Sequence, residues 1–474
     1  MNVLFASSEV FPFSKTGGLA DIAAFLPKAL MKEEVNIYTV TPYYSSIIKY
    51  HDKLELIGEK TIYFGLANTK VYYYLLNQNG NKTIFIQNQH YYERDYFYGF
   101  EDDDKRYMLF SYAVLELIDI LDVNIQLIHL NDWQTGPIPY LLDEHYRYRD
   151  KYKHIHTLLT IHNLEYQGSF TYDTSRLFNT EFNYTYIHFN RVNYLKAGIE
   201  RASKINTVSP NYRNEILTEE FGFTLDGALN NRSDDLTGIL NGIDYDIFNP
   251  SKDKLIYKNY TTRNLKLGKK KNKELLLKEY NIKTNLDAPL ISYIGRLASQ
   301  KGIELIESVM EDIIQNSNAN FFILGSGDEK YQNFFNYIKD KYPNRVGYYQ
   351  GYNESLAHKI YAASDIFLMP SNFEPCGLGQ MISMRYATVP IVREVGGLKD
   401  TVKPYNKYTN EGTGFSFYDK DHYVFKDKIY EAINMYTYEP VKWSQLIRRA
   451  MKEDFGLKQM AKKYKSLYNE IIGG

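Results

Sequence analysis

Residues 15–18 read Lys-Thr-Gly-Gly, between a short apolar run at 3–6 and a helix-like pattern from residue 19. Glycines after a strand and before a helix allow close backbone approach and expose amide N–H groups at a positive helix end. Lys15 adds a full charge, so the set suits a phosphate, while a plain tight turn fits the same residues equally well. It is not a Gly-Lys-Ser/Thr phosphate loop, and the Gly-x-Gly-x-x-Gly dinucleotide fingerprint is missing, also at Gly325-Ser-Gly327. At 295–302, GRLASQKG places Arg296 and Lys301 on a strand-to-helix loop. Two cations there could neutralise a diphosphate without metal, or could be solvated surface charges. At 370–381, PSNFEPCGLGQM holds Glu374 between Pro370 and Pro375, and Gly377 and Gly379 open the next helix. Such a carboxylate is either a helix cap or a partner for sugar hydroxyls while the amides take phosphate. The Gly-Gly-Leu of the first loop recurs in REVGGLKD, 393–400.

These loops need elements to hold them. Apolar, β-branched runs at 3–6, 35–40, 127–130, 158–161 and 204–208 predict strands, with helical periodicity at 19–32, 106–121 and 190–201. The rhythm restarts with strands predicted at 290–294, 321–324, 366–369 and 388–392, and helices at 302–315, 354–363 and 377–386. Alternating elements predict an α/β chain with mostly parallel sheets. Turn chemistry and a proline at 241–250, followed by a Lys/Asn-rich stretch to residue 273, mark a domain boundary. The lysine run 269–273 reads as a solvated helix start or an anion patch. An amphipathic segment at 457–472 stands apart from the second set of strands. Two Rossmann-like domains with a cleft between them follow, with ligands beyond the carboxyl ends of the strands.

Composition excludes several classes. At 474 residues, two domains are the default. Net charge is −1, so no general pull toward nucleic acid or anionic membrane exists. The single cysteine, Cys376, rules out an internal disulfide framework and a multi-cysteine zinc site. No targeting pattern and no apolar stretch of membrane-spanning length is found, so a cytoplasmic protein is expected. The acidic run 101–104 imitates an Asp-x-Asp metal motif but also suits a helix start, and no metal is expected. Forty-six tyrosines read as compositional drift rather than as sugar platforms.

Nine segments together resemble the bacterial glycogen synthase and starch synthase family. In order they are KTGGLAD (15–21), NDWQT (131–135), TIHNLEYQG (160–168), VSPNY (208–212), GILNGID (238–244), GRLASQKG, GY (351–352), PSNFEPCGLGQ and GGLKDTV (396–402). The resemblance implies a GT-B fold: two Rossmann-like domains facing each other across a deep cleft, with a C-terminal helix crossing back to the first domain. It implies an acceptor-side domain over 1–243 completed by 457–474, and a donor-side domain over 244–456. The implied enzyme is a retaining glucosyltransferase that moves glucose from ADP-glucose to the 4-hydroxyl of an α-1,4-glucan such as glycogen. UDP-glucose, another acceptor, or a non-catalytic glycan-binding role are the competing readings.

The resemblance also assigns residues. Lys15, Gly17, Gly18 and Asp21 are implied donor contacts in the first domain, and His162 lies near the transferred glucose. Asp132 positions sugar or acceptor, and Asn241 belongs to the donor site. Arg296 and Lys301 neutralise the diphosphate, Tyr352 stacks on the adenine, and Glu374 holds glucose hydroxyls. Cys376, Gly377, Leu378 and Gly379 form the phosphate-binding helix start. Asn372 stands where the family commonly carries arginine.

Overall fold

The apolar run that opens the chain becomes β1 (Asn2–Ala6), and Val3, Leu4, Phe5 and Ala6 are fully buried. A strand covered on both faces reads as continuous apolar sequence, as this one does. The computed structural model describes residues 1–65, 67–180 and 183–473. The chain forms two units: Met1–Asn241 with Leu457–Gly474, and Gly242–Gly456.

In the first unit β1 pairs in parallel with β2 (Asn36–Pro42), and β2 leads to the edge strands β3 (Glu55–Phe64), β4 (Ala67–Gln78) and β5 (Asn81–Gln87). On its other side β1 pairs with β6 (Leu127–Asn131), followed by β7 (His156–Ile161). The strands β8 (Ser169–Phe170), β9 (Ile187–His188) and β10 (Arg191–Asn193) form a separate small sheet. β11 (Lys204–Thr207) and β12 (Leu236–Gly238) complete the large one. Its order, β12-β11-β7-β6-β1-β2-β5-β4-β3, reverses direction between β1 and β6. β4 pairs antiparallel with both β3 and β5, an extension the sequence reading did not predict.

Residues 457–472 belong to a helix, Leu457–Gly473, that packs on this first unit. Tyr468 Oη lies 2.6 Å from Nδ1 of the buried His129 on β6, and His129 Nε2 lies 2.7 Å from Thr160 Oγ1 on β7. Asn206 Nδ2 on β11 donates to Tyr464 Oη at 2.9 Å. Two strands, β6 and β11, thus present polar groups that the last helix satisfies, and His129 passes the contact on to β7.

The second unit carries six parallel strands: β13 (Leu290–Ile294), β14 (Asn320–Gly325), β15 (Val346–Gln350), β16 (Ile366–Met369), β17 (Val389–Arg393) and β18 (Phe415–Phe417). The order β15-β14-β13-β16-β17-β18 reverses between β13 and β16. Apolar clusters line both faces, one built around Ile291, Phe321 and Leu368, the other around Leu290, Phe322 and Leu356.

Several local expectations change. The helix predicted at 190–201 is Tyr194–Arg201, because Arg191–Asn193 pair as β10. The helix predicted from residue 377 is Gly379–Arg385, because Gly377 takes a left-handed φ of 74°. The lysine run 269–273 is neither an anion patch nor simply solvated. Lys269 and Lys273 sit four apart on one face of the helix Leu265–Glu279 and are buried. Lys269 donates to the carbonyls of Tyr361, Ser364 and Tyr386 and to Thr388 Oγ1 at 2.7 Å. Those carbonyls lie at the carboxyl ends of the helices Glu354–Ala363 and Gly379–Arg385, where a cation meets the negative dipole end. Burial pulls the Lys269 ammonium down to about 7. Many tyrosines are core residues: Tyr73, Tyr92 and Tyr152 are fully buried, each donating to a main-chain carbonyl.

Candidate active site

Ligands of open α/β sheets bind beyond the carboxyl ends of the strands where strand order reverses. In the first unit that place lies beyond β1 and β6. The loop after β1 carries Lys15 into the helix Gly18–Met31. The buried Glu9 holds it, accepting from the Thr16 amide, from Thr16 Oγ1 at 2.6 Å and from Tyr98 Oη at 2.7 Å. Lys15 Nζ lies 2.7 Å from Asp21 Oδ1, so two expected site residues form an ion pair. A Cβ at Gly17 or Gly18 would meet nothing within 4 Å. Neither glycine is required by packing inside the chain.

Beyond β6, Asn131 Nδ2 donates to the last carbonyl of β1, Ala6, at 2.9 Å. That orientation leaves Asn131 Oδ1 to accept from His162 Nε2, also at 2.9 Å. Nε2 therefore carries the proton, and Nδ1 is the acceptor nitrogen. Burial pushes the His162 imidazole down to about 3, so it is neutral near pH 7. Asp132 has a φ of 57° and turns Oδ1 toward the His162 amide at 2.6 Å. Desolvation raises the Asp132 carboxyl to about 7 against the pull of the His162 and Asn163 amides. Its carboxylate orders the loop that carries His162. Asn241 is buried, and its Oδ1 has no hydrogen-bond partner among the described residues.

In the second unit the reversal lies between β13 and β16, whose following loops carry Arg296 with Lys301 and Glu374 respectively. Lys301 Nζ is 2.7 Å from Glu374 Oε2, and Ser371 Oγ donates to the same oxygen at 3.0 Å. Arg296 is exposed and reaches Gln300 Oε1 at 3.0 Å. The helix after Lys301 starts at Ile303 because Gly302 turns left-handed, with φ 67°, under Pro370. A Cβ there would lie 1.9 Å from the Pro370 carbonyl oxygen. Tyr352, in the loop after β15, is 71% exposed.

The two Gly-Gly-Leu segments differ physically. Gly396 has φ 43°, and a Cβ on it would lie 2.0 Å from the Glu374 carbonyl oxygen; one on Gly397 would lie 2.3 Å from that of Cys376. Gly397 N–H donates to the Glu374 and Pro375 carbonyls at 3.1 and 3.2 Å. Gln380 Nε2 takes the Cys376 and Gly377 carbonyls at 3.1 and 3.0 Å. The second segment is a backing plate for the Glu374 loop, whereas Gly17 and Gly18 border open space. Cys376 is buried in that loop, and Leu378 precedes the helix that Gly379 opens. Gly325 and Gly327 are likewise packing glycines, lying against the carbonyls of Gly295 and Leu297.

The acidic run is committed elsewhere. Asp102 pairs with both Arg94 nitrogens at 2.6 and 2.7 Å, and Asp103 with Arg106. Glu9, Asn131 and Ser371 were missed as site residues. Each of the three acts through another residue and leaves no recognisable spacing.

The first unit's sequence matches the starch synthase catalytic domain over residues 2–231, and the second matches glycosyl transferases group 1 over 277–450. A glycogen synthase from Acholeplasma laidlawii is 57% identical, covering 100% of this chain and 99% of its own. This chain belongs to the glycogen and starch synthase family. The family's fold accounts for both units: the catalytic domain of starch synthase IV from Arabidopsis thaliana, solved with ADP and acarbose, is 32% identical with a TM-score of 0.90. That match covers 100% of this chain and 99% of the other. Sucrose-phosphate synthase from Thermosynechococcus elongatus, 17% identical with a TM-score of 0.64 over 100% and 99% of the two chains, shares the GT-B architecture. As a family member, the chain is a glycosyltransferase with two Rossmann-like domains. No helix among the described residues is long and apolar enough to cross a membrane.

Proposed function

We propose that this glycosyltransferase moves glucose from ADP-glucose to the non-reducing 4-hydroxyl of an α-1,4-glucan, with retention at the anomeric carbon. The observation that carries the reading is the Lys301–Glu374 pair beside Arg296 at the strand-order reversal of the second unit. The starch synthase solved with ADP supports the choice of nucleotide.

Arg296 and Lys301 stabilise the charge that develops on the departing diphosphate, with the Cys376, Gly377, Leu378 and Gly379 segment at the phosphate and Tyr352 on the adenine. Lys15, Gly17, Gly18 and Asp21 serve the donor from the first unit, and Asn241 offers its unpartnered Oδ1. A neutral His162 accepts a hydroxyl through Nδ1 and is no proton donor near pH 7. The first unit is the acceptor side, where Asp132 acts by holding the His162 loop.

Retention by double displacement asks for a nucleophilic carboxylate about 5 Å from its acid/base partner. Glu374 Oε2 already takes a cation and a hydroxyl, which suits a group that orders glucose hydroxyls and blunts a nucleophile. Same-face transfer follows, in which the leaving diphosphate helps remove the proton of the incoming hydroxyl. The chain's task is electrostatic stabilisation of leaving-group charge and of an oxocarbenium-like sugar. No metal is required for those steps, and the setting is the cytoplasm, where glycogen is the acceptor.

Labelled glucose transfer to glycogen from ADP-glucose and from UDP-glucose, each with excess EDTA, tests the reading. Incorporation from ADP-glucose in chelator is expected. Incorporation from UDP-glucose alone would reassign the nucleotide, and none from either would overturn the proposal.

A further inference from the structure

Lys301 and Glu374 reside on different loops, and their 2.7 Å contact needs something that fixes one loop against the other. One residue spans both. The Asn372 amide N–H donates to the Gln300 carbonyl at 2.8 Å, and Asn372 Nδ2 donates to the Ser299 carbonyl at 2.6 Å. Ser299 and Gln300 directly precede Lys301, and Gln300 Oε1 receives Arg296 Nη2. From the other side Arg393 Nη1 donates to the Asn372 carbonyl at 2.7 Å, while Arg393 Nε is anchored on the Tyr418 carbonyl at 3.0 Å. Asn372 thus uses its amide N–H, its carbonyl and its side-chain NH2 to join β13's loop, β16's loop and β17.

The remaining polar atom shows how tightly that side chain is set. Asn372 Oδ1 is buried and has no hydrogen-bond partner among the described residues. A flipped amide would place that oxygen against the Ser299 carbonyl, so the Nδ2 bond dictates the orientation. We infer that Asn372 is a positioning residue for the diphosphate-binding cations, setting Lys301 through Ser299 and Gln300, and Arg296 through Gln300. This rests on the assignment of Arg296 and Lys301 to the donor diphosphate.

The test compares wild type, Asn372→Ala and Asn372→Asp, each also in a Lys301→Ala background. Asn372→Ala keeps both main-chain bonds and loses only the Nδ2 bond; Asn372→Asp turns a carboxylate onto the Ser299 carbonyl. Expected for Asn372→Ala is a roughly tenfold loss in kcat/KM for ADP-glucose, with the glycogen KM within about twofold of wild type, as for a displaced reacting geometry. Asn372→Asp should lose more. By titration calorimetry, ADP should weaken several-fold and adenosine, which lacks phosphates, should not. In the Lys301→Ala background Asn372→Ala should add little further loss, because coupled residues are non-additive.

Equal weakening of ADP and adenosine, or full additivity with Lys301→Ala, would reduce Asn372 to a general structural contact and overturn the inference. So would wild-type kinetics in Asn372→Ala. A wild type that transfers no glucose from ADP-glucose would instead overturn the donor assignment, a result separate from these. Should Asn372→Asp fail to fold, Asn372→Ala and the calorimetric pair still decide.

Discussion

Lys301 Nζ and Glu374 Oε2 lie 2.7 Å apart, on loops that follow the two strands where the second sheet reverses its order. In the proposed reading, the pair joins a group that neutralises a leaving diphosphate to one that orders the sugar. Charge and position are thereby set together.

Lys301→Ala should lower turnover at saturating ADP-glucose by about 10²–10³, the scale of a lost donor at a developing anion. The melting temperature should fall as well, since the buried Glu374 carboxylate loses its cation, so turnover is compared well below the variant's melting point. Single-turnover transfer to maltoheptaose checks both rate and specificity; near-full turnover in the variant would remove Lys301 from the chemistry.

The two glycine pairs should respond in opposite ways. Gly17→Ala has open space around it and should change stability by less than about 0.5 kcal/mol. Gly396→Ala combines a left-handed φ with a Cβ 2.0 Å from a carbonyl oxygen, and should cost about 2 kcal/mol or more. Urea unfolding of the two variants side by side measures the difference, and comparable losses would contradict the packing contrast.

Buried Lys269 gives a signed pH dependence. Its ammonium is pulled down to about 7 from 10.5, so between those values the unfolded chain binds the extra proton. This group's contribution to stability therefore rises as pH goes from about 7 toward 10.5. Lys269→Met removes it, and its melting temperature should gain less than that of wild type between pH 7 and 9. Parallel melting profiles would refute the assignment.

His162 acts at the acid end. With its imidazole lowered from 6.5 to about 3, stability from this group is complete above pH 6.5 and is lost as pH falls toward 3. Asp132 opposes it: a carboxyl raised from 3.8 to about 7 favours the fold as pH falls from 7. His162→Gln should lose less stability than wild type between pH 6.5 and 4, and Asp132→Asn should lose more. Calorimetric scans across that range test both signs.

Removing the Tyr468 hydroxyl strands His129 Nδ1 in the core. Tyr468→Phe should cost about 1–3 kcal/mol, the penalty for a buried polar atom without a partner. Urea denaturation measures it.

Legibility in the sequence followed the physics of each segment. Strands buried on both faces, such as β13 and β16, are continuous apolar runs, and Leu290–Ile294 and Ile366–Met369 stand where they were predicted. The strands β3, β4 and β5 were missed, and in β4, with Tyr72, Tyr73 and Tyr74 in succession, the reason is that a half-exposed strand is read by its alternation of polar and apolar residues. Tyrosine itself is both, so the alternation loses contrast. The motifs singled out Lys15, Arg296, Lys301 and Glu374, on loops that follow β1, β13 and β16 at the two reversals, and His162, which follows the neighbouring β7. Glu9, Asn131 and Asn372 were opaque as agents, because each works by holding another residue through a contact distant in sequence. Lys269 and Lys273 misled because a lysine run looks solvated unless helical spacing and the carbonyls that await it are known together.

The helix Leu457–Gly473 satisfies His129 and Asn206, residues made more than two hundred and fifty positions earlier. During synthesis the first unit emerges from the ribosome with two strands still lacking polar partners, and it waits in that state while the entire second unit is translated. The half of the molecule that is born first is finished last. Any pause or premature stop late in translation therefore falls hardest on the beginning of the chain.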